Sequence, residues 1–279
     1  MNLEDLLNSQ FIEALNYVEN ALGIRNYCII GGFAIYSYLR LALEKGIIDK
    51  TKFRKLLQIV FPEGRKYETD LDIVVEEISE NGREELRKKG FELMHPIERG
   101  CKLGTLKREY PQENPHMDIY SKRIKTSVKE MEIQIIDGKI LSVLSPRIDI
   151  EYEEGQSAKL EIDGREINVL SLEYLITCYI PLTGGKDKKR LNRTLILISL
   201  LRLKYANPEE VVRMGYKIAG VLIKNSLNPP EMIGYLQKFL GYCEQRRKFI
   251  ERKLSEGKDY IDAFLEGVKR KIAEYESVT

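Results

Sequence analysis

The spacing of apolar residues changes character near residue 170. Before that point, segments such as Lys159-Leu160-Glu161-Ile162 and Ile167 to Leu170 alternate in twos. Beyond it, apolar residues recur at intervals of three and four almost to the end. A period of two lines one face of a strand, and a period near 3.6 lines one face of a helix. A chain of 279 residues with this switch is long enough for one large domain or two modest ones. The expected fold class is α/β (α+β): a mixed sheet flanked by helices over residues 1–170, then a mostly helical domain over 171–279.

Local signals fill in the first part. Leu3, Leu6, Leu7, Phe11, Leu15, Val18 and Leu22 predict an amphipathic helix over 3–22. A short strand is expected at 27–30, a turn at Gly31-Gly32 and a helix over 33–45. A further helix over 51–60 is broken by Pro62-Glu63-Gly64. Strands are expected at 70–76, 91–94, 101–108 and 115–120, with a short helix at 84–89 ending on Gly90. Asp137-Gly138 and Asp163-Gly164 each follow β-type runs and read as hairpin turns, the second more clearly. In the helical part, Ser171, Asn207 and Asn228 stand at helix starts, the last two followed by proline.

Three aspartates carry the chemistry. Thr69-Asp70-Leu71-Asp72-Ile73-Val74-Val75 sets Asp70 and Asp72 two apart in a strand, so both carboxylates face one way. Asp118 lies in a third apolar run, His116-Met117-Asp118-Ile119-Tyr120. A third carboxylate on an adjacent strand would complete a hard-oxygen pocket suited to Mg²⁺. Gly31-Gly32 closes the apolar run Tyr27-Cys28-Ile29-Ile30 and opens a helix, where backbone N–H groups favour phosphate.

This ordered set resembles the nucleotidyltransferase superfamily that includes DNA polymerase beta and the aminoglycoside nucleotidyltransferases. Gly31, Gly32, Asp70, Asp72 and Asp118 match its pattern position by position. Arg65 and Thr69 ahead of Asp70 are similar to the abortive-infection type toxins of type IV toxin–antitoxin systems. The resemblance is close over roughly the first 120 residues and loose beyond them. It implies a cytoplasmic, metal-dependent enzyme that moves a nucleoside monophosphate from NTP to an RNA, tRNA or protein hydroxyl. Asp70, Asp72 and Asp118 would hold two Mg²⁺ ions, with Mn²⁺ as a substitute. Gly31, Gly32, Arg65, Thr69, Lys186 and Lys189 would bind the nucleotide, and an antitoxin protein would be a partner. Two departures stand out. The gap from Gly32 to Asp70 holds an extra helix, and Phe33 occupies a position where related enzymes often carry Ser or Thr. The rival readings are an aminoglycoside-like modifier of small molecules and a nucleotide-binding or partner-binding module that has lost its chemistry.

Charge is unevenly spread. The chain carries net +2, yet residues 183–279 hold 20 Lys/Arg against 12 Asp/Glu. That balance fits a polyanionic partner, or simply solvated helix faces. Lys188, Arg190 and Arg193 follow Lys186, and Arg246, Arg247, Lys248, Arg252 and Lys253 form a second basic cluster beside Tyr242 and Phe249. His95 and His116 lack partners at metal-ligand spacing, and cysteines 28, 101, 178 and 243 are too scattered for a zinc site. The start of the chain has no signal-peptide pattern, and its longest strongly apolar run, Leu195 to Leu201, is too short to span a bilayer, so no membrane role is expected.

Overall fold

Three apolar residues, Cys28–Ile30, form β1, and Gly31 turns the chain directly into helix α2 (Gly31–Glu44). Gly31 has φ +69°, a left-handed conformation that side chains disfavour. The helix therefore starts at the glycines themselves, two residues ahead of the expected position. The computed structural model describes residues 3–62, 70–75, 77–94, 118–137, 157–182, 188–226 and 228–278.

The remaining strands are β2 (Asp70–Val75), β3 (Glu92–Met94), β4 (Asp118–Lys125), β5 (Glu130–Asp137), β6 (Ser157–Ile162) and β7 (Arg165–Leu170). They join β1 in one mixed seven-stranded sheet of order β3-β4-β5-β2-β1-β7-β6. β2 runs antiparallel to β1 and parallel to β5, while β1 runs parallel to β7. The β6–β7 hairpin turns at Asp163-Gly164, both with positive φ, as the alternation on either arm led one to expect. A second hairpin joins β4 to β5 through residues 126–129, where Thr126 both donates to and accepts from Lys129. The second arm expected after Asp137-Gly138, and the expected strand at 101–108, lie outside the described residues.

The chain divides into two units. One is drawn from Met1–Ser37, Phe61–Pro146 and Glu151–Leu170, the other chiefly from Tyr38–Val60 and Ser171–Thr279. The change from strands to helices at residue 170 thus coincides with a division, but helix α3 (Lys50–Val60) belongs with the helical unit. In the sheet unit, α1 (Leu3–Asn16) packs its apolar face through Phe11, which stacks on Phe33 at 4.9 Å and meets Tyr36 edge-on. Burying aromatic side chains of this size stabilises by roughly 1.5–3 kcal/mol each. Helix α4 (Glu80–Lys88) begins four residues before its expected start. Ser79 caps it by accepting from Gly82 N, while buried Asp137 accepts from Ile78 N at 2.9 Å and pairs with Arg83 at 2.9 Å.

The helical unit comprises α3, α5 (Leu172–Leu182), α6 (Lys188–Ser199), α7 (Pro208–Lys224), α8 (Pro229–Gln245), α9 (Arg247–Lys253) and α10 (Lys258–Val278). Asn207 and Asn228 accept from the N–H groups of Glu210 and Glu231, which fixes the starts of α7 and α8. Arg193 of α6 donates through Nε and Nη2 to the carbonyl of Val60, the last residue of α3. Cys28, Cys178 and Cys243 are buried and unbridged. Among the described residues, no helix is long and apolar enough to cross a membrane.

Candidate functional site

β2 is the fourth strand of seven, and its two aspartates occupy alternate positions at its start. Period-two alternation puts Asp70 and Asp72 on one face. Both are half-buried, whereas Leu71 and Ile73 between and after them are fully buried on the other face. Asp72 pairs in register with Ile30, the residue just before Gly31. A Cβ placed on Gly31 would lie 2.3 Å from Asp72 Oδ2. The absence of a side chain at Gly31 is what gives the Asp72 carboxylate its place beside the start of α2. Gly31 and Asp72, 41 residues apart in sequence, thus form one contact.

The neighbour of β2 on its other side is β5. Glu132 pairs with Asp70, and Gln134 pairs with Asp72. Directly opposed residues share a face, so Glu132 joins the two aspartates. It is 9% exposed and accepts a hydrogen bond from Ser121 Oγ on β4. Arg123, exposed, stands opposite Glu132 and extends the same row. The face therefore carries two polar rows: Arg123, Glu132 and Asp70, then Ser121, Gln134 and Asp72.

Asp118 takes a different place. Its strand β4 is separated from β2 by β5. It pairs with Asp137, which pairs with Val75. That row lies three residues beyond Asp72, roughly 10 Å along the strand, and has the opposite pleat parity. The register does not bring Asp118 to Asp70 and Asp72. The carboxylate on the adjacent strand is Glu132, which the sequence reading missed because strand order is not encoded in local periodicity.

Gly32 lies in the first turn of α2. Lys189 lies half-buried in the first turn of α6, in the helical unit. Arg65, Thr69 and Lys186 lie outside the described residues, as do His95 and His116. Arg193, in the basic run that follows Lys186, donates to the Val60 carbonyl. Tyr36 is fully buried, with its hydroxyl 3.3 Å from Asn8 Oδ1.

Among the described residues, no group of three or more His, Cys, Asp or Glu side chains is arranged to hold a metal ion. Mg²⁺ does not require one. It is commonly bound by one or two carboxylates, with waters and substrate phosphates completing its shell. Asp70 and Asp72 supply that number of hard oxygen ligands on one face, so the donor set fits. No family model, curated protein or solved structure matches this chain.

Proposed function

We propose that this protein is a metal-dependent nucleotidyltransferase that moves a nucleoside monophosphate from NTP to a hydroxyl of RNA or protein. The observation that carries the reading is the Asp72 carboxylate seated against Gly31 at the start of α2, with Asp70 on the same face. This joins a dication-binding pair to a helix start, where N–H groups and the helix dipole favour anions. The polar face on β2 and β5 belongs to a mixed seven-stranded sheet, and a mixed sheet flanked by helices is what this reading requires.

Asp70 and Asp72 would hold Mg²⁺ or Mn²⁺. A metal held there would supply positive charge against the triphosphate and the departing pyrophosphate. Gly31 and Gly32 admit the phosphates to the helix start. In the reaction, the acceptor oxygen bonds to the α-phosphorus while the bond from that phosphorus to the pyrophosphate oxygen breaks. The acceptor proton passes to a carboxylate of the Asp70 row, with Glu132 on the strand beside β2 as the third carboxylate of the site. Arg65 and Thr69, just ahead of Asp70 in sequence, are further proposed nucleotide contacts.

The test is incubation with Mg²⁺ and each α-³²P-labelled NTP, with total RNA and cell lysate as acceptors. Label transferred by the wild type and lost at least 100-fold in Asp70→Asn and Asp72→Asn supports the reading. Equal transfer by either variant overturns it. The proposed role as the toxin of a toxin–antitoxin pair predicts growth arrest on expression, relieved in Asp72→Asn. The position of Asp118 favours one second reading, a nucleotide-binding module without turnover. NTP binding with no label transferred to any acceptor would support that module instead.

A further inference from the structure

Three helices of the helical unit are strongly basic and meet at α6. α3, α6 and α9 together carry twelve lysines and arginines, four on each, against the single acid Glu251. They are far apart in sequence and are tied by specific bonds. Arg193 of α6 binds the Val60 carbonyl at the end of α3, with Nη2 at 2.8 Å. Arg246, the residue before α9, donates to Asn192 of α6 at 3.0 Å. Lys52 of α3 reaches Glu256, in the turn just after α9, at 4.0 Å.

Among the described residues, the acids in and beside α9 are held in ion pairs, and Asp49 just before α3 accepts from Lys52 N. Glu251 and Glu244 pair with Arg247, and Glu256 lies between Lys52 and Arg202. Lys50, Lys55, Lys188, Lys248, Arg252 and Lys253 are exposed and, among the described residues, have no acidic partner. Lys188 is one turn before Asn192 and Lys248 is two residues after Arg246, so two separate basic runs converge across one hydrogen bond. Lys248 and Arg252 repeat at one helical turn, which suits a polymer of regularly spaced charges. Arg246 also lies over the Phe249 ring at 4.6 Å, beside half-buried Tyr242. Clustered cations with interleaved aromatics are the pattern that binds a nucleic acid backbone.

We propose that the surface formed by α3, the start of α6 and α9 binds RNA through its phosphates. This names RNA as the acceptor class and in that respect rests on the nucleotidyl-transfer reading. RNA brings both the phosphates this surface fits and the hydroxyls that reaction needs.

The experiment measures fluorescence anisotropy of labelled total tRNA with full-length protein, without NTP, across a salt series. The patch variant combines Lys188→Glu, Lys248→Glu and Lys253→Glu. A charge-matched control combines Arg213→Glu, Lys217→Glu and Lys224→Glu, exposed positions on α7. The patch variant is expected to lose at least tenfold in affinity and the control less than threefold. Its slope of log affinity against log salt should be shallower by roughly 0.7–0.9 for each phosphate it no longer neutralises. A Lys→Gln version of the patch variant, with an unchanged melting curve, separates lost binding from lost folding. Equal losses in patch and control, displacement of tRNA by polyglutamate at equal charge, or no binding by the wild type would each overturn the proposal. Asp72→Asn should bind tRNA as the wild type does, so a failure of transfer and a failure of binding read out separately.

Discussion

Gly31 carries two constraints at once. Its φ of +69° costs an L-residue roughly 1–2 kcal/mol, and any Cβ would lie 2.3 Å from the Asp72 carboxylate. Gly31→Ala is therefore expected to lower the melting temperature, by about 2–4 °C for each kcal/mol lost, and to abolish nucleotide binding. Gly31→Ala with Asp72→Ala, which removes the clash, should recover part of the stability and none of the binding. A second comparison separates the carboxylates. Glu132→Gln should depress transfer at least tenfold, while Asp118→Asn should leave it within threefold, both read by label transfer. The glycine turn after an apolar run and the acids alternating in a strand were each legible in sequence as local signals, whereas their contact is set by the register of β1 on β2. Glu132 was not legible. It sits in a run, Met131 to Ile136, that reads only as a strand, and the carboxylate it stands beside is set by register.

At the scale of elements, the helical unit depends on one close crossing. A Cβ on Gly215 of α7 would lie 2.2 Å from the Phe264 carbonyl oxygen, and one on Gly267 of α10 would lie 2.0 Å from that of Val212. Both obstacles are backbone, which cannot rotate aside. Gly267→Ala should cost about 1–3 kcal/mol in denaturant unfolding, as overpacking does. The helix caps at Asn207 and Asn228 were readable because they are short-range. The early start of α4 was not, since Asp137 from β5 helps fix it across a long stretch of chain. Glu173 in α5 links elements too. Burial acts to raise its pKa, but hydrogen bonds from Lys204 and Tyr205 outweigh burial and hold it below its ordinary value of 4.5. A carboxylate depressed on folding contributes stability above its unfolded value and loses it as pH falls through its folded value. Glu173→Gln should thus cost roughly 1–3 kcal/mol at pH 7. The gap from wild type should narrow below pH 4.5, measured by urea unfolding at both pH values.

Across the whole molecule, one division between the two units falls at residue 170, where strand periodicity gives way to helix periodicity, but membership of the units does not follow sequence order. Tyr38–Val60 precedes β2 in sequence yet clusters with the helices. Its periodicity announces a helix and is silent about which neighbours that helix will choose. The basic surface has the same origin: α3 adds four cations to a patch that the sequence showed only as two separate runs near residues 190 and 250. In β2, all six residues pair with β5 on one side and Asp72–Val74 pair also with β1 on the other, with three strands of the sheet in each direction. Its amides can exchange with solvent only when the sheet itself opens, so they should be among the slowest in a native-state hydrogen-exchange series. The aspartates proposed to do the chemistry thus ride on the last part of the sheet to come apart. On heating, activity is expected to vanish together with the sheet's ellipticity rather than ahead of it.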